Sequence, residues 1–114
     1  MSTGKPETAL QTAIVDALER IGVWVMVMNV TKRRGKRGVN CGEPGMPDLW
    51  TEYGWLEVKL PDEGVLSDVQ KAWHAKAARK GINVETVMSP LQAVDAIQYW
   101  RKATLSKVNR ASRI

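Results

Sequence analysis

The chain has 114 residues, of which 44% are hydrophobic and 25% charged, and its formal net charge is +5. This length suits one compact domain rather than two well-buried cores, and the apolar share excludes a wholly disordered protein. No apolar run approaches the roughly 20 residues of a membrane helix, the longest being residues 23–28. Because the N-terminal segment lacks a signal-peptide stretch and Cys41 is the lone cysteine, we expect a cytoplasmic protein.

Basic residues are concentrated in two segments. Residues 1–100 contain as many acidic as basic residues, so residues 101–114 account for the entire net charge. The two basic sets are Lys32, Arg33, Arg34, Lys36 and Arg37, and Arg101, Lys102, Lys107, Arg110 and Arg113. Such clusters commonly contact nucleic-acid phosphates, although a basic tail can also serve only as a solubilising extension.

The first half of the chain is predicted to form a helix, a strand and a long loop. Apolar residues recur at helical spacing over residues 6–21, where Pro6 suits the first turn and Gly22 ends the helix. Residues 23–30 are β-branched and apolar enough for a buried strand. Residues 31–46 are rich in glycine and basic residues and predict a loop long enough to carry function.

The second half is predicted to form a hairpin followed by a helix, a strand and a last helix. The strands at residues 47–51 and 55–60 are joined by so short a link that they must run antiparallel. Helices are predicted over residues 67–80 and 90–102, with a strand over residues 83–88 between them. The order α-β-β-β-α-β-α predicts an α/β fold in which helices flank a mixed sheet.

Charged residues interrupt the apolar pattern of the hairpin. Side chains alternate along a strand, so Glu57 and Lys59 share a face. A hairpin loop of two or four residues places Asp48 on that face, whereas a loop of three residues turns Asp48 away unless a bulge intervenes. Opposed carboxylates repel each other, and a divalent cation removes that cost; oxygen ligands favour Mg²⁺ or Mn²⁺ over zinc. The alternative is an ion pair between Glu57 and Lys59 on a solvent face.

Three short segments around these residues carry a family resemblance. They are Gly45-Met46-Pro47-Asp48-Leu49, Glu57-Val58-Lys59 and Ser67-Asp68-Val69-Gln70. Together with their spacing and the element order, they resemble the PD-(D/E)XK nuclease superfamily, and most closely its small VRR-NUC type, which phages often encode as a stand-alone domain. The bare D…ExK pattern arises by chance in many proteins; the G-x-P-D turn and the downstream S-x-x-Q helix make the match specific.

The resemblance implies an activity and a partner. Residues 1–102 would form a restriction-endonuclease-like nuclease domain, followed by a basic tail over residues 103–114. The family's members hydrolyse DNA phosphodiester bonds with Mg²⁺ or Mn²⁺, so we expect a homodimeric endonuclease selective for branched or junction DNA, located in the host cytoplasm if phage-encoded. The basic segments would follow the phosphate backbone. Two alternatives stay open: a degradative or restriction-type nuclease of the same fold, and a non-catalytic nucleic-acid-binding module.

The resemblance also implies a role for each matching residue. The matching positions are Asp48, Glu57, Val58, Lys59, Gln70 and Glu7. The two hairpin carboxylates would hold the metal together with the backbone carbonyl of Val58. Lys59 would orient the attacking water or stabilise charge on the phosphate. Gln70 matches the family's helix glutamine, and Glu7 matches an acidic residue of the first helix that completes the acidic cluster and can join the metal site.

Two of these residues have a simpler explanation in the helices that carry them. Glu7 is also a first-turn acid that offsets the helix dipole. Gln70 stands at the third position after Ser67, as in a capping box. The second explanation is compatible with function, since a capped helix N-terminus presents backbone donors to a phosphate.

Aromatic residues and a single histidine complete the candidates. Packing roles are predicted for Trp24, Trp73 and Trp100. Trp50 and Trp55 flank the hairpin, where they could extend a partner surface. His74 has no second metal ligand near it in the sequence, so we expect it to be hydrogen-bonded or solvated rather than catalytic.

Overall fold

A computed structural model describes residues 6–28 and 43–112 of the chain. They form a four-stranded mixed sheet flanked by helices, in the predicted order α-β-β-β-α-β-α. The elements are α1 Pro6–Arg20, β1 Val25–Val27, β2 Leu49–Thr51, β3 Gly54–Val58, a 3₁₀ turn Pro61–Glu63, α2 Asp68–Arg79, β4 Val84–Val87 and α3 Pro90–Ser112. The mixed α/β architecture expected from the apolar pattern is confirmed.

The sheet has the strand order β1-β2-β3-β4, with antiparallel pairing except for the parallel pair β3–β4. Because Thr51 pairs with Gly54, the hairpin turn has two residues, one of the two lengths that place Asp48 on the Glu57 face. The Thr51 hydroxyl accepts hydrogen bonds from the backbone N–H groups of Tyr53 and Gly54, at 3.0 Å each, and stabilises this turn. The turn therefore sets the register that the site requires.

One face of the sheet carries the hydrophobic core. Its strand residues pack against α1 and α3. The buried core residues include Ile14, Leu18, Leu49, Leu56, Val58, Val87, Ala93, Ile97 and Trp100. Trp100 is 6% exposed, so its predicted packing role is confirmed. With the core confined to one face, the opposite face is available for polar residues of the hairpin.

The opposite face is covered in part by α2. A capping box begins this helix as predicted: the Ser67 hydroxyl accepts from the Gln70 N–H, and the Gln70 side chain accepts from the Ser67 N–H at 2.9 Å. Farther along, Trp73 packs edge-on against Trp55, with ring centroids 5.3 Å apart. Trp73 is half-buried, so it packs on the sheet without entering the main core.

Three sequence-based expectations need correction. The last helix ends at Ser112 instead of residue 102, because residues 101–112 contain no glycine or proline to end it. The strand predicted over residues 23–30 spans only Val25–Val27, although residues 29 and 30 lie outside the described ranges. Trp24 is 61% exposed rather than packed in the core, because it adjoins β1 at the edge of the sheet. Within the described ranges, no helix is long and apolar enough to cross a membrane.

Candidate active site

The hairpin brings the two candidate carboxylates together. Asp48 immediately precedes β2 and Glu57 lies in β3. The register that pairs Leu49 with Leu56 therefore places the two acids directly opposite each other on neighbouring strands. Asp48 Oδ2 accepts a hydrogen bond from the Val58 N–H at 2.8 Å, which ties the aspartate to β3. The sheet thus orients both side chains from neighbouring strands, as the even-loop prediction requires.

A close backbone approach explains the glycine of the Gly45-x-Pro47-Asp48 segment. Gly45 has a φ of +86°, which side chains rarely adopt. A Cβ atom at this position would also collide with the main chain of Val69 in the first turn of α2. The segment that delivers Asp48 therefore packs directly against the helix that delivers Gln70.

Glu57 is a buried carboxylate whose two side-chain oxygens differ in their partners. Its side chain is 2% exposed. The Oε2 atom accepts a hydrogen bond from Gln70 Nε2 at 2.8 Å and lies 3.6 Å from Lys59 Nζ. The Oε1 atom is buried and has no hydrogen-bond partner among the described residues. Since an unpaired buried carboxylate oxygen is costly, Oε1 is the atom at which a ligand or proton would lower the free energy.

The electrostatic surroundings of Glu57 favour its protonated form. Burial, followed by the charge of Asp48, raises the pKa of Glu57 to about 8, and Lys59 opposes the shift only in part. A proton shared between the two carboxyl groups would act in the same direction as burial. At neutral pH, the pair therefore holds a proton unless another positive charge replaces it.

The pair fits a hard divalent cation. Mg²⁺ in proteins commonly binds one or two carboxylates and completes its octahedral shell with water or substrate phosphate. No group of three His, Cys, Asp or Glu side chains within residues 6–28 and 43–112 is arranged to hold a metal. A cation at Asp48 and Glu57 would therefore take its other ligands from the main chain, water or a phosphate, and the predicted use of the Val58 carbonyl stays a prediction.

Glu7 does not join this pair in the structure. It lies in the first turn of α1, and its side chain is exposed. This position fits a structural role for Glu7, as a first-turn acid that offsets the positive end of the helix dipole. The structure therefore brings together Asp48, Glu57, Lys59 and Gln70 but does not gather Glu7 with them.

Gln70 has both of the roles that its sequence position allows. Its Oε1 atom accepts from the Ser67 N–H and closes the capping box, while its Nε2 atom donates to Glu57 Oε2. One amide thus joins the start of α2 to the carboxylate in β3. Both polar atoms of the amide are satisfied, so the side chain is held in a single orientation.

His74 has one buried ring nitrogen on the helix that carries Gln70. It lies one turn beyond Gln70 on α2, and its Nε2 atom is buried with no hydrogen-bond partner among the described residues. Burial, and secondarily Lys59, lowers the pKa of His74, so the ring is neutral at pH 7. The residue as a whole is only half-buried, so the expectation that His74 is hydrogen-bonded or solvated rather than catalytic stays a prediction. The four-residue spacing from Gln70 is a signal that could have placed His74 beside the site.

The predicted DNA-contacting residues fall into three groups, which lie against the fold, on the last helix and outside the described residues. Arg101 is engaged within the fold, since its guanidinium donates to the Ile21 carbonyl at 3.3 Å and lies 5.4 Å from the Tyr53 ring centroid. Lys102 and Lys107 are exposed on α3, which also contains Arg110. Outside the described residues lie Lys32, Arg33, Arg34, Lys36, Arg37 and Arg113.

Comparisons with known proteins give no match, so the function of the chain is inferred from the geometry of the site. No protein-family model, curated protein or solved structure matches the chain. The site offers two adjacent carboxyl groups, one ammonium group and one fixed amide. Such a set can hold a hard cation and place a positive charge beside an anionic substrate.

Proposed function

We propose that the chain is a Mg²⁺- or Mn²⁺-dependent DNA endonuclease with a restriction-endonuclease-like core of the PD-(D/E)XK superfamily, VRR-NUC type. The observation that carries this proposal is the buried Glu57, which lies beside Asp48 and whose Oε1 atom lacks a partner among the described residues. An ion pair kept for stability alone would not need a second, repelling carboxylate. The element order and the site on a hairpin also support the proposal.

The four converging residues would divide the work of phosphodiester hydrolysis. Asp48 and Glu57 would hold the cation, which polarises a bound phosphate and lowers the pKa of bound water. Gln70 fixes one oxygen of Glu57 and so leaves the other as the oxygen open to a ligand. Lys59, held 3.6 Å from Glu57, would orient the attacking water or stabilise charge on the phosphate oxygens.

The substrate we propose is branched or structured DNA. The net charge of +5 and the basic residues of α3 support attraction to a phosphate backbone. Recognition of DNA shape rather than sequence is proposed because the sequence lacks a base-reading motif. By resemblance alone, we also propose a homodimer, which sedimentation velocity can test directly.

The decisive experiment is a cleavage assay over branched, flapped, linear duplex and single-stranded DNA, with Mg²⁺, Mn²⁺ or EDTA. We expect cleavage only with an added cation and a preference for branched substrates. Asp48→Asn and Glu57→Gln should abolish cleavage and retain DNA binding, because they keep the side-chain shapes and remove the charge. Cleavage in EDTA, or turnover by either variant at the wild-type rate, would contradict the proposal. Binding without cleavage under all conditions would favour the non-catalytic module.

A further inference from the structure

Four tryptophans form a row across the face of the sheet that carries the candidate site. Trp24 contacts Trp50 edge-on, with ring centroids 4.9 Å apart and an interplanar angle of 81°. Trp50 is the cross-strand partner of Trp55, which packs against Trp73 of α2. The row therefore extends from the β1 edge of the sheet to the helix that contains Gln70.

This tryptophan row lies directly beside the carboxylate pair. Trp50 follows Asp48 by two residues and Trp55 precedes Glu57 by two, so all four side chains share one face. Two residues of strand correspond to about 7 Å, and each strand spacing to about 4.8 Å. Trp24 lies opposite Glu52, four residues along the strand from Asp48 and one strand across, so it is about 14 Å from the carboxylates, or about four nucleotides at about 3.4 Å each.

The two ends of the row differ in exposure. Trp73 covers the end at β3, whereas Trp24 is 61% exposed and the adjacent Met26 is 40% exposed. The Trp24 backbone is held in place, since its N–H donates to Glu52 Oε1 at 2.9 Å and its carbonyl accepts from the Glu52 N–H. A large aromatic ring is therefore exposed on the face that carries the site, and its edge-on contact with Trp50 holds it in place.

We propose that Trp24, packed against Trp50, is a stacking platform for an unpaired nucleobase about four nucleotides from the scissile phosphate. This inference rests on the proposed nuclease function and narrows its substrate to DNA with an unpaired nucleotide within about four nucleotides of the cut. In a continuous duplex, each base is covered by its neighbours, so only an unpaired base offers a free face to the indole. Base–aromatic stacking tolerates any base, which agrees with recognition that does not depend on sequence.

The exposed area matches a base better than a second copy of the chain. A tryptophan buries about 150–250 Å² when fully enclosed, so the exposed part of Trp24 amounts to about 90–150 Å². A stable protein interface needs about 800 Å² from each partner. A single nucleobase needs only one aromatic face, and the positive net charge of the chain favours a polyanionic partner.

The test measures binding in EDTA, where cleavage does not interfere. The probe is a flapped duplex with or without an abasic residue at the unpaired position next to the branch, titrated against wild type, Trp24→Ala and Trp24→Phe. We expect Trp24→Ala to weaken binding of the intact flap by about 5- to 150-fold and Trp24→Phe by much less. In Trp24→Ala, the abasic replacement should cause no further loss. Tyr99→Ala, which truncates an exposed aromatic residue on α3, should bind as wild type.

Each outcome decides for or against the platform. The platform is overturned if the wild type binds the abasic flap as tightly as the intact flap, or if the losses from the abasic residue and from Trp24→Ala simply add. The first of these results is obtained with the wild type and so does not depend on the folding of a variant. A change in sedimentation of Trp24→Ala would identify a second copy as the occupant and would also overturn it. Coupled losses support the platform even if the wild type cleaves nothing with Mg²⁺, a result that would remove only the proposed nuclease activity.

Discussion

At the scale of single residues, Glu57 is the group whose ionisation is most affected by folding. Burial and the charge of Asp48 favour its neutral form, and together they outweigh the opposing charge of Lys59. A protein that kept this arrangement without a cation would lose stability at neutral pH. On the proposed function, the residue links the stability of the fold to binding of a cation at the site.

We predict that the metal-free protein loses stability as the pH rises. The pKa of Glu57 is about 8 in the folded chain against an ordinary 4.5, so its stabilising contribution is complete below pH 4.5 and lost as the pH approaches 8. One pKa unit corresponds to about 1.4 kcal/mol, so the loss is at most about 5 kcal/mol. Urea unfolding in EDTA across this pH range measures it. Glu57→Gln should remove most of the slope, and identical slopes in both proteins would contradict the assignment.

Lys59 should affect the chemical step more than binding. Its ammonium group lies beside Glu57, where it can act on charge that develops during hydrolysis. We predict that Lys59→Ala lowers the cleavage rate at saturating DNA by about 10²- to 10³-fold, typical for loss of one stabilising donor. Affinity should change only a few-fold, and Lys59→Arg, which keeps the charge, should retain more activity. A loss confined to affinity would show that Lys59 tethers a phosphate instead.

At the scale of secondary-structure elements, the capping box of α2 combines a structural role with a site contact. Among the described residues, the Ser67 hydroxyl contacts only the helix cap, whereas the Gln70 amide contacts both the cap and Glu57. A helix capped by this pair thus delivers a fixed hydrogen bond to β3. Substitution of one partner at a time can separate the two roles.

We predict different effects for two substitutions in this capping box. Ser67→Ala should cost about 1 kcal/mol of stability and leave the cleavage rate nearly unchanged, because it removes only a cap hydrogen bond. Gln70→Ala should cost a similar amount and also lower the cleavage rate, because Glu57 loses a hydrogen bond at 2.8 Å. Unfolding free energies and single-turnover rates check both. Equal rates in the two variants would mean that Gln70 serves the helix alone.

At the scale of the whole molecule, the excess positive charge lies away from the hydrophobic core. Helix α3 continues about three turns beyond Trp100, which is buried, and residues 102–107 are exposed. Residues 101–114 contribute +5 to a chain that is otherwise neutral. The helix therefore places positive charge outside the packed part of the domain, in a position suited to contact a phosphate backbone.

Deletion of residues 103–114 should weaken DNA binding and leave the fold intact. The deletion removes three positive charges, Lys107, Arg110 and Arg113, so the slope of log affinity against log salt should become shallower by up to about 3. The unfolding temperature should change little, because the deleted residues lie beyond the core. A triple substitution of the three residues by glutamine is the matched control. An unchanged salt slope would show that this segment does not touch DNA.

Local signals account for the parts of the molecule that were predicted correctly. Ser67 and Gln70 predict the start of α2, Gly22 lies just beyond the end of α1, and the antiparallel pairing of β2 with β3 follows from the short link between them. These features depend on residues within a few positions of each other, so the linear sequence contains them. The end of α3 was predicted wrongly because the sequence has no local stop signal before Ser112.

The amino-acid sequence by itself determined the element order, the α2 cap and the shared face of Glu57 and Lys59. Only the tertiary structure decided that Glu57 is buried, that Gln70 reaches it, and that Trp24 is exposed while Glu7 stays apart. Burial and exposure depend on which strand forms the sheet edge and which helix covers each face. Those choices arise from packing between residues distant in sequence, which periodicity and local propensity do not encode.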